Sequence, residues 1–164
     1  MADTHPLQSI VSLDAPTYNN TTPVVALAGV NLTMWDVVKV VLSGRFNLGL
    51  YGERGTGKSQ LLADMRALFG NNAGYVLGRN DLDIKALFRQ MDFGPLHAAR
   101  EHGGVVSQAE LTKVTANIYR PLTVAEEINR CAEVVQNQLL NVFEGFIELD
   151  GVEYPLGGGE CCVA

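Results

Sequence analysis

The sequence predicts an α/β fold built on a largely parallel β-sheet, and two observations support this prediction. Apolar runs typical of strands alternate with stretches whose apolar residues recur at helical spacing, an order found in parallel sheets covered by helices. The predicted strands are residues 46–51, 74–78, 119–125 and 161–164. In addition, a glycine-rich segment joins the first of these strands to a predicted helix at residues 60–69. Strand, glycine-rich turn and helix in this order are a recurring unit of such folds.

The remaining elements follow from caps, turns and periodicity. Thr33 is a candidate N-cap for a helix at residues 34–42, in which Trp35 is predicted to be a core residue. Asp150-Gly151 between two apolar runs predicts a β-hairpin with a two-residue turn over residues 145–156. Further helices are predicted at residues 81–91, 107–114 and 128–142, and a loop at residues 93–104.

The length and composition indicate one folded domain. The chain has 164 residues, of which 47% are hydrophobic, enough for a sizeable core. Residues 1–23 are polar and contain Pro6, Pro16 and Pro23. We interpret them as an N-terminal arm or linker with one short strand near Ile10 and Val11, followed by a core at residues 24–164.

Charge and cysteine content exclude several classes of protein. The formal net charge is −6 and no basic run stands out, so sequence-independent binding of nucleic acid is not favoured. No run of 18 apolar residues predicts a membrane span, and the N-terminus lacks the features of a secretory signal. Three cysteines without framework spacing fit reduced thiols in a cytoplasm. We interpret Cys161 and Cys162 as strand residues rather than ligands of a soft metal.

The glycine-rich segment matches the phosphate-binding pattern G-x-x-x-x-G-K-[ST] at every fixed position. We call residues 52–59 the phosphate loop. Glycines allow its backbone N–H groups to turn inward, and the start of the following helix adds unpaired N–H groups and a positive dipole end. Lys58 is expected to reach the outer phosphates, and the Ser59 hydroxyl to hold Mg²⁺. The motif predicts nucleotide binding.

A second informative stretch is the apolar run at residues 122–125, which is followed by Glu126 and Glu127. A nucleotide-hydrolysing enzyme needs acids opposite its phosphate loop, one for the Mg²⁺ shell and one to orient or deprotonate water. The alternative is a solvated helix start, where glutamates favour the helix dipole. His97 and His102 lie five residues apart, a poor spacing for two ligands on one helix face, and we interpret them as exposed loop residues.

Four stretches make the chain similar to the MoxR-like branch of the AAA+ ATPases. They are residues 52–59, the stretch Glu126-Glu127-Ile128-Asn129-Arg130, the helix around residues 135–140, and the hairpin at residues 145–156. The resemblance covers residues 24–164. It implies a P-loop NTPase fold of three αβα layers, in which the hairpin corresponds to the helix-2 insert of that branch.

The resemblance also implies a function and a set of site residues. Lys58 and Glu127 would be catalytic, and Ser59 and Glu126 would hold Mg²⁺. The nucleotide-binding residues would be Gly52, Glu53, Arg54, Gly55, Thr56, Gly57, Lys58, Ser59 and Gln60. Such proteins form hexameric rings, hydrolyse ATP and remodel partner proteins in a chaperone-like way, often partners with a von Willebrand factor A domain.

Two departures from the family pattern bear on activity. Glu126 stands where the family has Asp, and its extra methylene extends the carboxylate by about 1.5 Å. A sensor residue, an arginine finger and a helical lid would follow the strand at residues 161–164, so we expect the chain to be the N-terminal part of an ATPase core. Two hypotheses follow: an ATP-hydrolysing motor subunit, or a nucleotide-binding or structural interaction module without turnover.

Overall fold

The computed structural model describes residues 6–107, 110–158 and 162–164. Within them a parallel sheet of three strands lies at the centre, in the order β3 (Ala73–Leu77), β6 (Leu122–Glu126), β9 (Cys162–Val163). Three antiparallel pairs of strands are also present, β1 (Pro23–Leu27) with β2 (Val30–Thr33), β4 (Arg89–Met91) with β5 (Thr112–Val114), and β7 (Phe146–Leu149) with β8 (Val152–Pro155). The α-helices are α1 (Met34–Ser43), α2 (Lys58–Phe69), α3 (Ile84–Phe88), α4 (Gly94–His102) and α5 (Glu133–Phe143).

Helices cover both faces of the parallel sheet, which confirms the predicted α/β fold. Leu122 and Val124 of β6 pack with buried residues of α1 and α2, whereas Ala125 packs with α3 and α5. Successive residues of a strand point to opposite faces, so one strand contributes to two apolar clusters. The result is three layers, with a cluster of buried side chains on each side of the sheet.

The predicted strand at residues 46–51 is wrong, because no strand is assigned there. The segment does run beside β9, where the Leu48 N–H donates to the Val163 carbonyl at 2.8 Å. The Val163 N–H donates to the side-chain Oδ1 of Asn47 at 2.9 Å. A parallel ladder would give that N–H a backbone carbonyl of the neighbouring strand. The asparagine side chain therefore replaces the second ladder bond and ends the pairing.

The predicted cap of α1 is confirmed. The Asp36 N–H donates to the Thr33 hydroxyl, and the Asp36 carboxylate accepts from the Thr33 N–H at 2.9 Å. This reciprocal pattern is a capping box, which satisfies N–H groups that the helix cannot pair internally. Trp35 is buried in the core, as predicted, and its indole N–H donates to the Leu13 carbonyl at 3.1 Å.

The N-terminal segment differs from the prediction. Residues Pro6–Ser12 form a 3-10 helix rather than a short strand, and Leu7 and Ile10 are fully buried in the cluster that includes α1. The spacing of Leu7 and Ile10 is one turn of such a helix, so both side chains lie on one face. The segment is therefore part of the core and does not extend as a free arm. The position of a domain boundary at residue 23 stays a prediction.

The chain between α3 and β6 was predicted incorrectly. The predicted helix at residues 81–91 is shorter in the structure, where α3 ends at Phe88 because Arg89–Met91 pairs as β4 with β5. The predicted loop at residues 93–104 contains α4, which has no buried residue and carries the exposed side chains of His97 and His102. The predicted helix at residues 107–114 includes β5 instead, and residues 108–109 lie outside the described part. Long-range pairing overrides the helical periodicity here.

The C-terminal part largely matches the prediction. A 3-10 turn, Ile128–Arg130, precedes α5, so the predicted helix at residues 128–142 is split. The hairpin β7–β8 is confirmed, and Asp150 and Gly151 both have positive φ (53° and 81°), as a primed two-residue turn requires. Cys162 begins β9, whereas Cys161 lies outside the described residues. Among the helices of the described ranges, none is long and apolar enough to cross a membrane.

Asp64 of α2 joins the N-terminal segment to the core, and its charge should contribute to stability. Asp64 is 2% exposed, and its carboxylate accepts from the Thr17 N–H (2.9 Å), the Thr17 hydroxyl (2.7 Å) and the Tyr18 N–H (2.6 Å). Burial raises the pKa of Asp64. The hydrogen bonds from Thr17, Tyr18 and Gln60 together lower it by more, so the pKa lies below its ordinary value.

We expect Asp64→Asn to lower the free energy of unfolding at pH 7 by about 1–3 kcal/mol, because hydrogen bonds to a buried charge are lost. A group with a lowered folded-state pKa stabilises the protein above its unfolded pKa, about 3.9 for Asp. The difference between wild type and variant should therefore shrink as the pH falls below about 4. Urea denaturation across this pH range measures it. Asp81→Asn, at an exposed site, is the control, and an equal loss in both variants would contradict the prediction.

Candidate functional site

The phosphate loop is tightly curled in the structure. Gly55 and Gly57 have φ values of 81° and 83°, in the left-handed region that favours glycine. α2 begins directly after them at Lys58, and among the described residues no side chain caps its start. The first N–H groups of a helix have no partner within it, and the helix dipole is positive at that end. The loop and the helix start together form an anion-binding geometry.

Lys58 lies across the loop. Its ammonium group donates to the carbonyls of Gly52 (2.8 Å) and Glu53, and to the Thr56 hydroxyl (3.1 Å). Thr56 in turn donates to the Glu53 carbonyl at 3.0 Å. A bound phosphate would have to replace these carbonyl oxygens as partners of the ammonium group. Phosphate oxygens carry negative charge and form the stronger hydrogen bonds, so this exchange is favourable.

An open cleft of about 810 Å³ lies beside the phosphate loop. It brings together side chains from the loop and from the end of β6, two regions that are more than sixty residues apart in the sequence. The predicted site residues that line it are Gly52, Arg54, Lys58, Ser59, Glu126 and Glu127. The cleft lies beyond the carboxyl end of β6, the position at which parallel α/β sheets bind ligands.

The side chain of Gln60, a predicted nucleotide-binding residue, points to the N-terminal segment. Its side-chain amide donates to the Thr17 hydroxyl and, at 3.3 Å, to Asp64. It therefore contacts the N-terminal segment. Behind the loop, the Tyr18 ring lies so close to Gly57 that a Cβ there would be 3.1 Å from Cε2. The N-terminal segment thus packs on the outside of the phosphate loop.

Glu126 is the last residue of β6 and is held by a neighbouring strand. The Tyr75 hydroxyl of β3 donates to its Oε2 at 2.8 Å. This hydrogen bond to Glu126, with burial, raises the pKa of Tyr75, so the phenol stays protonated and remains a donor. The Arg66 guanidinium lies 3.8 Å from the centre of the Tyr75 ring, within the range of a cation–π contact.

Glu127 lies in the turn after β6 rather than in the strand. It has a φ of 56°, which is uncommon for a residue other than glycine. Its carboxylate pairs with Arg130, with 2.9 Å between Oε2 and Nε, and both side chains are about half exposed. The Gly78 N–H donates to the Glu126 carbonyl at 2.8 Å, which brings the backbone after β3 against the turn after β6.

Ser59 and Glu126 fit the requirements of a Mg²⁺ ion. A hydroxyl and a carboxylate line the same cleft, and Mg²⁺ prefers oxygen ligands. Mg²⁺ sites commonly use one or two carboxylates together with substrate phosphates rather than a complete cage of protein ligands. Within the described residues no group of three or more His, Cys, Asp and Glu side chains could hold a metal, so a cage of that kind is not formed here.

Sequence reasoning missed three residues that shape the cleft. Tyr75 supports Glu126, and Gly78 allows the close approach to Glu127. Asn47 lines the cleft and donates from its side chain to the Phe143 carbonyl at 2.7 Å. Asn47 and Tyr75 lie within predicted strands, and Gly78 ends one. Gly78, two residues before the polar Asn80, offered a local signal, because a glycine beside a strand often marks a close approach of another backbone. Asn47 and Tyr75 act through tertiary contacts that no local pattern reveals.

Gly78→Ala should destabilise the protein, because a Cβ at this position would lie 2.2 Å from the Glu127 carbonyl oxygen. Both backbones would have to move, and overpacking of this kind costs about 1–3 kcal/mol. Urea denaturation followed by the fluorescence of Trp35, the single tryptophan, measures the loss. At Gly104 the nearest atom is the Ala99 Cβ at 3.7 Å, so Gly104→Ala is the control. Equal stability of the Gly78→Ala variant and wild type would refute the close approach.

Comparison with known families agrees with this geometry. The AAA domain family (dynein-related subfamily) matches residues 47–149, which is more than half of the chain and includes the phosphate loop and both acids. No curated protein and no solved structure matches the chain. AAA domains bind ATP, typically with Mg²⁺, so the match indicates nucleotide binding. The chain belongs to the AAA domain family, within its dynein-related subfamily.

Proposed function

We propose that this protein binds ATP and hydrolyses it in a Mg²⁺-dependent reaction. The observation that carries the proposal is the cleft that Lys58, Ser59, Glu126 and Glu127 line together. A cation and a hydroxyl at a helix start can hold the phosphates, and two carboxylates opposite them can serve the metal and the water. Phosphoryl transfer depends mainly on such positioning of charge.

The four residues divide three tasks between them in this proposal. Lys58 exchanges its loop carbonyls for the outer phosphates of ATP. Ser59 and Glu126 hold Mg²⁺, which neutralises charge on the phosphates when bound. Glu127 orients the attacking water or accepts its proton. Glu126 ends strand β6, whereas Glu127 lies in the left-handed turn that follows it, so the two carboxylates project from different backbone conformations.

We further propose that the protein acts in a ring and remodels a partner protein, in the manner of the MoxR-like branch. The stretch from Glu126 to Arg130 and the β7–β8 hairpin support this, since both carry the resemblance to that branch. A partner with a von Willebrand factor A domain and a hexameric ring follow from the same resemblance.

The second candidate is a nucleotide-binding interaction module without turnover, and one observation favours it. Glu127 is paired with Arg130, so its carboxylate is engaged before any substrate is bound. The ion pair between Glu127 and Arg130 is too weak to prevent hydrolysis completely. Exposed ion pairs are worth about 0–1 kcal/mol, which would slow a reaction about fivefold at most. Hydrolysis therefore remains the better supported proposal.

Lys58→Ala should weaken ATP binding by about 10- to 100-fold, because a charge-assisted hydrogen bond to phosphate contributes about 1.5–3 kcal/mol. Isothermal titration of folded protein with ATP and Mg²⁺ measures the affinity. Lys113→Ala, which removes an exposed lysine of β5, should bind like wild type. Absence of ATP binding by wild-type protein would rule out the proposed function.

Glu127→Gln should retain ATP binding and lower hydrolysis by about 10²–10⁴-fold, the usual contribution of a general base. Phosphate release at saturating ATP measures the rate. Glu148→Gln, at an exposed position of β7, is the matched control and should not change the rate. Wild-type turnover above about one per minute excludes the module without turnover, since competent enzymes typically reach 1 s⁻¹ or more. Equal rates for Glu127→Gln and wild type would remove Glu127 from the mechanism.

A further inference from the structure

The contact between Tyr75 and Glu126 is built into the register of the sheet. Tyr75 of β3 lies opposite Val124 of β6, and Glu126 lies two residues further along. Residues two apart on a strand share a face, so both side chains lie on the same side of the sheet. The Tyr75 hydroxyl reaches Glu126 Oε2 at 2.8 Å. Neither residue can change faces without a shift in register.

Tyr75 is itself fixed by the helix that follows the phosphate loop. The guanidinium of Arg66, in the last turn of α2, lies 3.8 Å from the centre of its ring. The ring also packs against the apolar cluster beneath α1 and α2. The helix that begins with Lys58 and Ser59 is thus connected through Arg66 and Tyr75 to the carboxylate at the end of β6.

This connection matters because Glu126 has a long side chain. A glutamate has three rotatable bonds, and fixing such a side chain costs on the order of 1.5–2 kcal/mol in conformational entropy at the upper end of measured scales. The hydrogen bond to Oε2 restricts the carboxylate before any ligand binds and leaves Oε1 as its second oxygen. Partners that orient a metal ligand in this way raise metal affinity by about 10- to 100-fold.

We propose that Tyr75 is a positioning residue, which holds Glu126 by one carboxylate oxygen so that the other contributes to the Mg²⁺ shell of bound nucleotide. The proposal rests on the function proposed above. A purely structural hydrogen bond between β3 and β6 is the competing explanation, and it predicts a change in stability alone.

The test is the Mg²⁺ dependence of ATP binding, measured by titrating ATP into folded protein at rising Mg²⁺ and in excess chelator. Tyr75→Phe should raise the Mg²⁺ concentration for half-maximal affinity by about tenfold. Its ATP affinity in chelator should equal that of wild type. Tyr154→Phe, a change of the same kind on β8, should leave both values unchanged. Arg66→Met should shift the Mg²⁺ requirement in the same direction, by about two- to fivefold.

A double-mutant cycle decides between positioning and structure. In a Glu126→Ala background, Tyr75→Phe should have no further effect on the Mg²⁺ requirement, because the hydroxyl has lost its partner. If Tyr75→Phe lowers stability but keeps the wild-type Mg²⁺ requirement, or if its effect persists without Glu126, the positioning role is excluded. Should Tyr75→Phe not fold, Arg66→Met carries the same comparison. Wild-type protein that does not bind ATP would overturn the proposed function together with this inference.

Discussion

β3 and β6 pair in parallel from Ala73 opposite Leu122 to Leu77 opposite Glu126, and this ladder sets the geometry of the site. The ladder ends at Glu126, which lines the cleft beside the phosphate loop. The same register aligns Tyr75 with that acid, and the next residue after the ladder, Gly78, meets the backbone of Glu127. A shift of one residue would place Tyr75 and Glu126 on opposite faces of the sheet.

The second determinant is the helix that leaves the phosphate loop. α2 presents Lys58 and Ser59 at its start, Asp64 in its middle and Arg66 in its last turn. Its start faces the cleft, Asp64 binds the N-terminal segment, and Arg66 stacks on Tyr75. One rigid element therefore links phosphate binding to the segment at residues 17–18 and to the acid on β6. The burial of Leu61 and Met65 under the helix keeps these contacts in place.

Glu126 and Glu127 are held by different contacts, and this difference suits their proposed roles. Glu126 is partly buried, belongs to a strand and is restrained by a phenol. Glu127 lies in a left-handed turn and makes a half-exposed ion pair with Arg130 that can open at low cost. A metal ligand benefits from a fixed position, whereas a group that handles water must be able to reorient. Neighbouring carboxylates in different environments can thus serve different chemistry.

The sequence by itself determined the phosphate loop, the α/β class, the cap at Thr33, the hairpin at Asp150-Gly151 and the candidate acids, because each depends on residue types at short, fixed spacings. The tertiary structure alone decided how the chain outside these motifs is used. Residues 46–51 do not form a strand because Asn47 takes the N–H of Val163, residues 89–91 pair with 112–114, and Leu7 and Ile10 enter the core. Such pairings join residues far apart in the chain, and the energy of burial and pairing decides them rather than local preference.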